Sequence, residues 1–134
     1  MSPDPERDPD GNGSRGLIVV MSGDVFFGMR IRTALRLLGY DLAINGDPVS
    51  FSSALASDEP RAELGLIDFN RPVDWSLLVD ALAGPVPVIA FGPHMDVAGF
   101  RAAKEAGVTR AVANGEFSRS LPDLVARHAR TPQP

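Results

Sequence analysis

The chain has no cysteine, which excludes a disulfide framework, a thiolate metal site and a cysteine nucleophile together. It has only two histidines, and neither Ser22 nor Ser118 has the surroundings of a nucleophile elbow, so hydrolytic catalysis has little to stand on. The 13 basic residues form no run and the net charge is −4, which argues against nucleic acid as a partner. Long apolar runs are missing too: residues 17–21 and 86–91 are far too short to cross a bilayer, and the first residues lack the apolar core of a secretory signal. A cytoplasmic location and no membrane partner are the expectation. No repeat of useful period occurs.

What is present is ordinary for a globular domain: 134 residues, 44% hydrophobic and 22% charged, enough for a single packed core. Residues 1–15, rich in proline, glycine and acid, read as a disordered acidic tail. Residues 131–134 read as a loose end, which leaves 16–130 as the domain.

The run at 17–21 is apolar without alternation and rich in β-branched residues, as in a strand covered on both faces. After Ser22, Gly23 and Asp24 the period becomes helical. Phe27, Ile31, Ala34, Leu35 and Leu38 share one face, with Asp24 placed to cap the helix and Gly39 to stop it. A short strand at 42–44, a cluster of turn formers at 45–48 and a helix at 50–56 capped by Ser50 follow. Residues 63–67 form the central strand, and 74–82 a helix with Trp75, Leu78 and Leu82 inward. A fourth strand spans 86–91, with Pro87 tolerable near its start. A helix begins at Asp96, turns Val97, Phe100 and Ala103 to one side and ends at Gly107. After a short strand at 111–113, Ser120-Leu121-Pro122-Asp123 resembles a capping box opening a last helix that buries Leu121, Leu124, Val125 and His128.

Five strands alternating with five helices through short loops predict an α/β fold: a parallel sheet of order 2-1-3-4-5 with helices on both faces, the flavodoxin-like arrangement. In such sheets ligands sit outside the carboxyl ends of the strands, where strands one, three and four meet. The residues gathered there are Ser22, Gly23, Asp24, Asp68, Asn70, Gly92 and His94. Asp68, which closes the apolar run of LGLIDFNRP, is the central one. Its carboxylate is aimed at the pocket or caps the turn before Pro72 by accepting backbone amides.

The segments LIDFNRP, PVIAFG and AAKEAGVTRAV, in this order of elements, resemble the third strand, the fourth strand and the helix-four to strand-five region of response-regulator receiver domains. The resemblance runs from about Leu17 to His128. It implies that Asp68 occupies the phosphoacceptor position, that a divalent cation such as Mg²⁺ bridges it to an acidic pair after strand one, and that a hydroxyl and a lysine read the phosphoryl group. The chain departs from that pattern. Met21-Ser22-Gly23-Asp24 lacks the adjacent acidic pair, so Asp68 and the displaced Asp24 are the only magnesium ligand candidates. Gly92 stands at the hydroxyl position, Asn114 at the lysine position, and Gly115 replaces the proline that follows it. Phosphoryl transfer depends on positioning and charge neutralisation, so such a site keeps a nucleophile but loses what stabilises the transferred group.

The expectation is a stand-alone, degenerate receiver-like signalling module: not an enzyme, with no cofactor beyond weakly held Mg²⁺, acting by contact with a signalling protein or a second copy. Receivers generally use the face of helix four, strand five and helix five, which here carries Arg101, Lys104, Arg110 and Arg119. Two alternatives stay open. One is a phosphorylatable receiver of a two-component phosphorelay with Asp68 as phosphoacceptor. The other is a divalent-metal or small-ligand site built from Asp24, Asp68 and His94.

Overall fold

A computed structural model describes residues 14–130. The strands β1 (Leu17–Met21), β3 (Ala62–Asp68) and β4 (Val88–Gly92) are buried along their whole length. That is what strands with helices on both sides require. With β2 (Asp41–Asn45) and β5 (Arg110–Ala113) at the edges they form one parallel sheet of order β2-β1-β3-β4-β5. The α/β, flavodoxin-like arrangement expected from the alternation of elements is therefore the observed one. Successive residues of a strand face opposite ways, so each strand feeds two cores. Ile18, Val20, Leu64, Leu66 and Phe91 pack under α1 (Val25–Leu37) and α5 (Asn114–His128). Leu17, Val19, Ile67, Val88 and Ala90 pack under α2 (Pro48–Leu55), α3 (Val79–Leu82) and α4 (Val97–Ala106). Gly65 lets α2 come close: a Cβ there would lie 3.0 Å from side-chain atoms of Phe51, Leu55 and Val88.

Aspartate side chains open most of the helical segments. Asp24, Asp47 and Asp96 accept a first-turn backbone N–H of α1, α2 and α4, and Asp74 does so for a 3-10 turn at Trp75–Leu77. Gly107, at φ +112°, ends α4 in the left-handed conformation that residues with a Cβ avoid.

The structure corrects several expected details. The cap of α2 is Asp47 rather than Ser50, with Pro48 in the first helical turn, and the Ser50 hydroxyl donates to Asp47 Oδ2 at 2.9 Å. The Ser50 backbone N–H and hydroxyl both bond the ionised form, holding the Asp47 carboxyl below its ordinary range. The single helix expected over 74–82 is instead the 3-10 turn followed by the four-residue α3. Asp74 draws in the N–H of Ser76, two residues on, and this tight local bond competes with regular helix. Leu78 and Leu82 are buried as expected, and Trp75 is half-buried. Val97, expected on the inner side of α4, is 64% exposed, because it lies in the first turn, past the end of β4.

The helix α5 starts at Asn114, and Ser120 (φ −118°, ψ 16°) breaks it, with Pro122 just beyond. The expected capping box at 120–123 therefore lies at a kink inside α5 and does not open the helix. Phe117 anchors the inner half by stacking on Phe91, with ring centres 3.9 Å apart and Phe27 alongside.

The tails expected at 1–15 and 131–134 fall mostly outside the described residues. Within them, the Arg15 N–H donates to Gly39 O at 2.8 Å. At the other end, the Arg130 N–H donates to Glu63 O at 2.9 Å and its Nη2 donates to Ala62 O at 2.8 Å. Among the described residues no helix is long and apolar enough to cross a membrane.

Candidate functional site around Asp68

Strand register brings the site together. Met21, the last residue of β1, is paired with Ile67, and Asp68 is paired with Phe91. The carboxyl ends of β1, β3 and β4 therefore lie side by side, and Ser22 follows β1 directly into the space beside Asp68. Asp68 is only 7% exposed. Its Oδ2 accepts from the Ser22 hydroxyl at 2.9 Å, and its Oδ1 accepts from Asn70 N–H at 2.8 Å and Asn70 Nδ2 at 2.6 Å. Asp68 thus faces the mouth of the sheet and caps its own turn at once. Every one of these bonds reaches a carboxylate oxygen, the stronger kind of hydrogen bond, and leaving such an oxygen buried and unmet costs about 1–3 kcal/mol.

Asn70 extends the network. Its Nδ2 also donates to Asn114 Oδ1 at 3.1 Å, and Asn114 Nδ2 donates to Asn70 Oδ1 at 2.6 Å. Ser22, Asp68, Asn70 and Asn114 are therefore joined, tying the end of β1, the end of β3 and the first residue of α5. Asp24 touches this network through its backbone, its N–H donating to Ser22 Oγ at 3.2 Å, while its carboxylate faces α1 and accepts Phe27 N–H at 3.1 Å. His94 is exposed in the loop after β4 and enters none of these bonds.

Gly92 ends β4, and the space beside it is full. A Cβ at Gly92 would lie 2.3 Å from Phe69 Cε2 and 2.5 Å from Cδ2. The Phe69 N–H donates to Phe91 O at 2.9 Å, which sets its ring next to Gly92. The ring meets Phe100 edge-on at 5.1 Å and 89°, and Trp75 at 6.2 Å and 62°. Reading the residues by period passes over Phe69, yet a signal exists. Once Asp68 is placed opposite Phe91, Phe69 must sit beside Gly92, and a strand glycine often marks the close approach of another group. Arg71 is also passed over: its Cδ lies 3.5 Å from where a Gly23 Cβ would be, so it overhangs the loop after β1. Nothing in the spacing singles out an exposed arginine in a turn.

Several solved receiver domains superpose on this chain. That of a sensor histidine kinase from Pseudomonas aeruginosa, with a magnesium ion coordinated in its active-site cleft, superposes at a TM-score of 0.70 with 20% identity, over 84% of this chain and 96% of that one. The chemotaxis protein CheY4 of Vibrio cholerae gives 0.69 with 12% identity, over 84% and 98%. A response regulator receiver protein from Burkholderia phymatum gives 0.61 with 24% identity, over 82% and 94%. The chain has the receiver fold. No family model matches it, and no curated protein matches it in sequence.

On this receiver fold the donor set does not suit a divalent cation. Mg²⁺ wants several hard oxygens in near-octahedral array. Here one buried carboxylate has both oxygens already bonded, and the Asp24 carboxylate is committed to capping α1. Among the described residues no three histidine, aspartate or glutamate side chains converge, so the Asp24, Asp68 and His94 triad is not assembled. These residues leave the sheet on three different loops, and two of them turn outward. Of the basic residues expected on the contact face, Arg101, Lys104 and Arg119 are exposed. Arg110 is half-buried and paired with Glu116 at 2.9 Å.

Proposed function

We propose that the chain is a degenerate receiver-fold signalling module that acts by protein contact and carries out no chemistry of its own. The observation that supports this most is the Phe69 ring filling the side-chain space of Gly92, where the resemblance to receivers calls for a hydroxyl that reads the phosphoryl group. Asn114 adds to it, because the amide standing at the lysine position is turned to Asn70 and brings no positive charge. A phosphoryl group on Asp68 would meet neither the cation nor the donor that neutralises its oxygens.

The contact face proposed is that of α4, β5 and α5. Val97, Arg101 and Lys104 fall at helical spacing on α4 and are all exposed, beside Met95, which is 77% exposed. An apolar ridge with two cations suits an acidic, partly apolar partner surface of a signalling protein in the cytoplasm. The test is incubation with acetyl phosphate and Mg²⁺ followed by intact-mass measurement, beside Asp68→Asn. The expected result is no phosphoryl adduct that depends on Asp68. An adduct present in the wild type and absent from Asp68→Asn would overturn the reading in favour of a phosphorelay receiver.

A further inference from the structure

The disagreement between the Asp68 site and a divalent cation has a positive side. We infer that the Ser22 hydroxyl takes the place a bridging cation would occupy between Asp68 and the loop after β1, making the site a cation-independent latch that holds α5 to the sheet. The inference rests on the proposed reading of the chain as a contact module, and it concerns how that module keeps its shape.

A cation bridging Asp68 to the β1 loop would have to sit next to Asp68 Oδ2. The Ser22 hydroxyl makes that bridge with its own proton, donating to Oδ2 at 2.9 Å, so the loop after β1 offers Asp68 a neutral hydrogen-bond donor where a cation would call for a second carboxylate. The hydroxyl is itself positioned by its neighbours: Asp24 N–H donates to it at 3.2 Å, and it lies 3.4 Å from Asp24 O. Ser22 is 9% exposed, so water competes poorly for the bond. The other carboxylate oxygen takes two donors from Asn70, and Asn70 holds Asn114 by a two-way amide pair. Direct hydrogen bonds therefore run from β1 through Asp68 and Asn70 to the start of α5, with no ion needed at any link.

The experiment is a Mn²⁺ titration of the full chain followed by paramagnetic broadening of backbone amides, with Mg²⁺ competition, in wild type, Ser22→Asp, Ser22→Ala and Asp68→Asn. Wild type is expected to show no saturable broadening around residues 22, 68 and 70 beyond that of Asp68→Asn. Ser22→Asp puts a second carboxylate beside Asp68 and is expected to bind Mn²⁺ at least about tenfold more tightly than wild type, reversed by Mg²⁺. Ser22→Ala is expected to bind no metal and to speed hydrogen exchange at Asn70 and Asn114 about fivefold, the loss of one hydrogen bond. Asp68-dependent broadening in the wild type would overturn the inference, as would unchanged exchange in Ser22→Ala. The wild-type titration decides the matter even if Ser22→Asp does not fold. Failure here is distinct from failure of the functional reading, which the phosphoryl adduct tests separately.

Discussion

Replacing Gly92 by threonine would push a Cβ and two further heavy atoms into the Phe69 ring, whose nearest carbon is 2.3 Å from the Cβ position. The ring cannot swing away freely, since Phe100 and Trp75 pack its edges and it is only 4% exposed. Overpacking of this kind costs about 1–3 kcal/mol. Removing the ring with Phe69→Ala costs about 3–5 kcal/mol, as for other buried aromatics. In the double variant the threonine grows into the space the ring has left, so the clash disappears and part of the cavity is filled. The two changes should then be less harmful together than their sum by about 1–3 kcal/mol. Urea unfolding followed by Trp75 fluorescence reads this directly, because Trp75 is the only tryptophan and touches the ring concerned. Phe69→Leu provides a milder background, since Phe69→Ala removes a large share of a typical stability of about 5–15 kcal/mol. Additivity within about 0.5 kcal/mol in both backgrounds would refute the claim that Phe69 owns the volume beside Gly92.

Two other predictions concern parts of the fold away from the site. Gly16→Ala should destabilise by more than about 1 kcal/mol in urea unfolding, because φ there is +131° and its Cβ would lie 2.3 Å from Glu63 Cγ. Stability equal to wild type would mean that the loop before β1 shifts at little cost. Burial, together with Arg110 and Arg127, holds the pKa of His128 below its ordinary value. The unfolded chain then takes up the proton first, so this part of the stability is present above a pH of about 6.5 and is lost as pH falls below it. The urea midpoint should therefore drop more steeply between about pH 7.5 and 5.5 in wild type than in His128→Gln, and parallel curves would refute the effect.

The architecture was readable because its signal is long and redundant. The uniformly apolar β1 and the apolar centre of β3 at 64–67 read as strands covered on both faces, and Asp24, Asp96, Gly39 and Gly107 marked helix ends by their own chemistry. The elements misjudged are those decided by competition over a few residues. Asp47 and Ser50 are both good caps, and only the position of Pro48 favours the former. Asp74 and Ser76 tighten a turn that apolar spacing alone would extend into a helix. The inner half of α5 carries little periodic signal, since what holds it to the sheet is the stacking of Phe117 on Phe91, the Asn70–Asn114 pair and the Arg110–Glu116 bridge, none of which recurs at helical spacing. In the site, Asp68 announced itself by ending an apolar run. The Asn70–Asn114 pair and the Phe69–Gly92 contact join residues far apart in sequence, and periodicity carries no term for them.

The bend in α5 has a mechanical consequence. The helix is moored at both ends: Asn114 at the carboxyl mouth of the sheet, and Arg130, just past its last turn, at the opposite mouth through Ala62 and Glu63. An unbroken rod fastened in this way would carry a pull on its far end straight to Asp68. With Ser120 out of helical geometry the helix is two segments and not one rod, and the segment fastened at Asn114 is separate from the one that leads to Arg130.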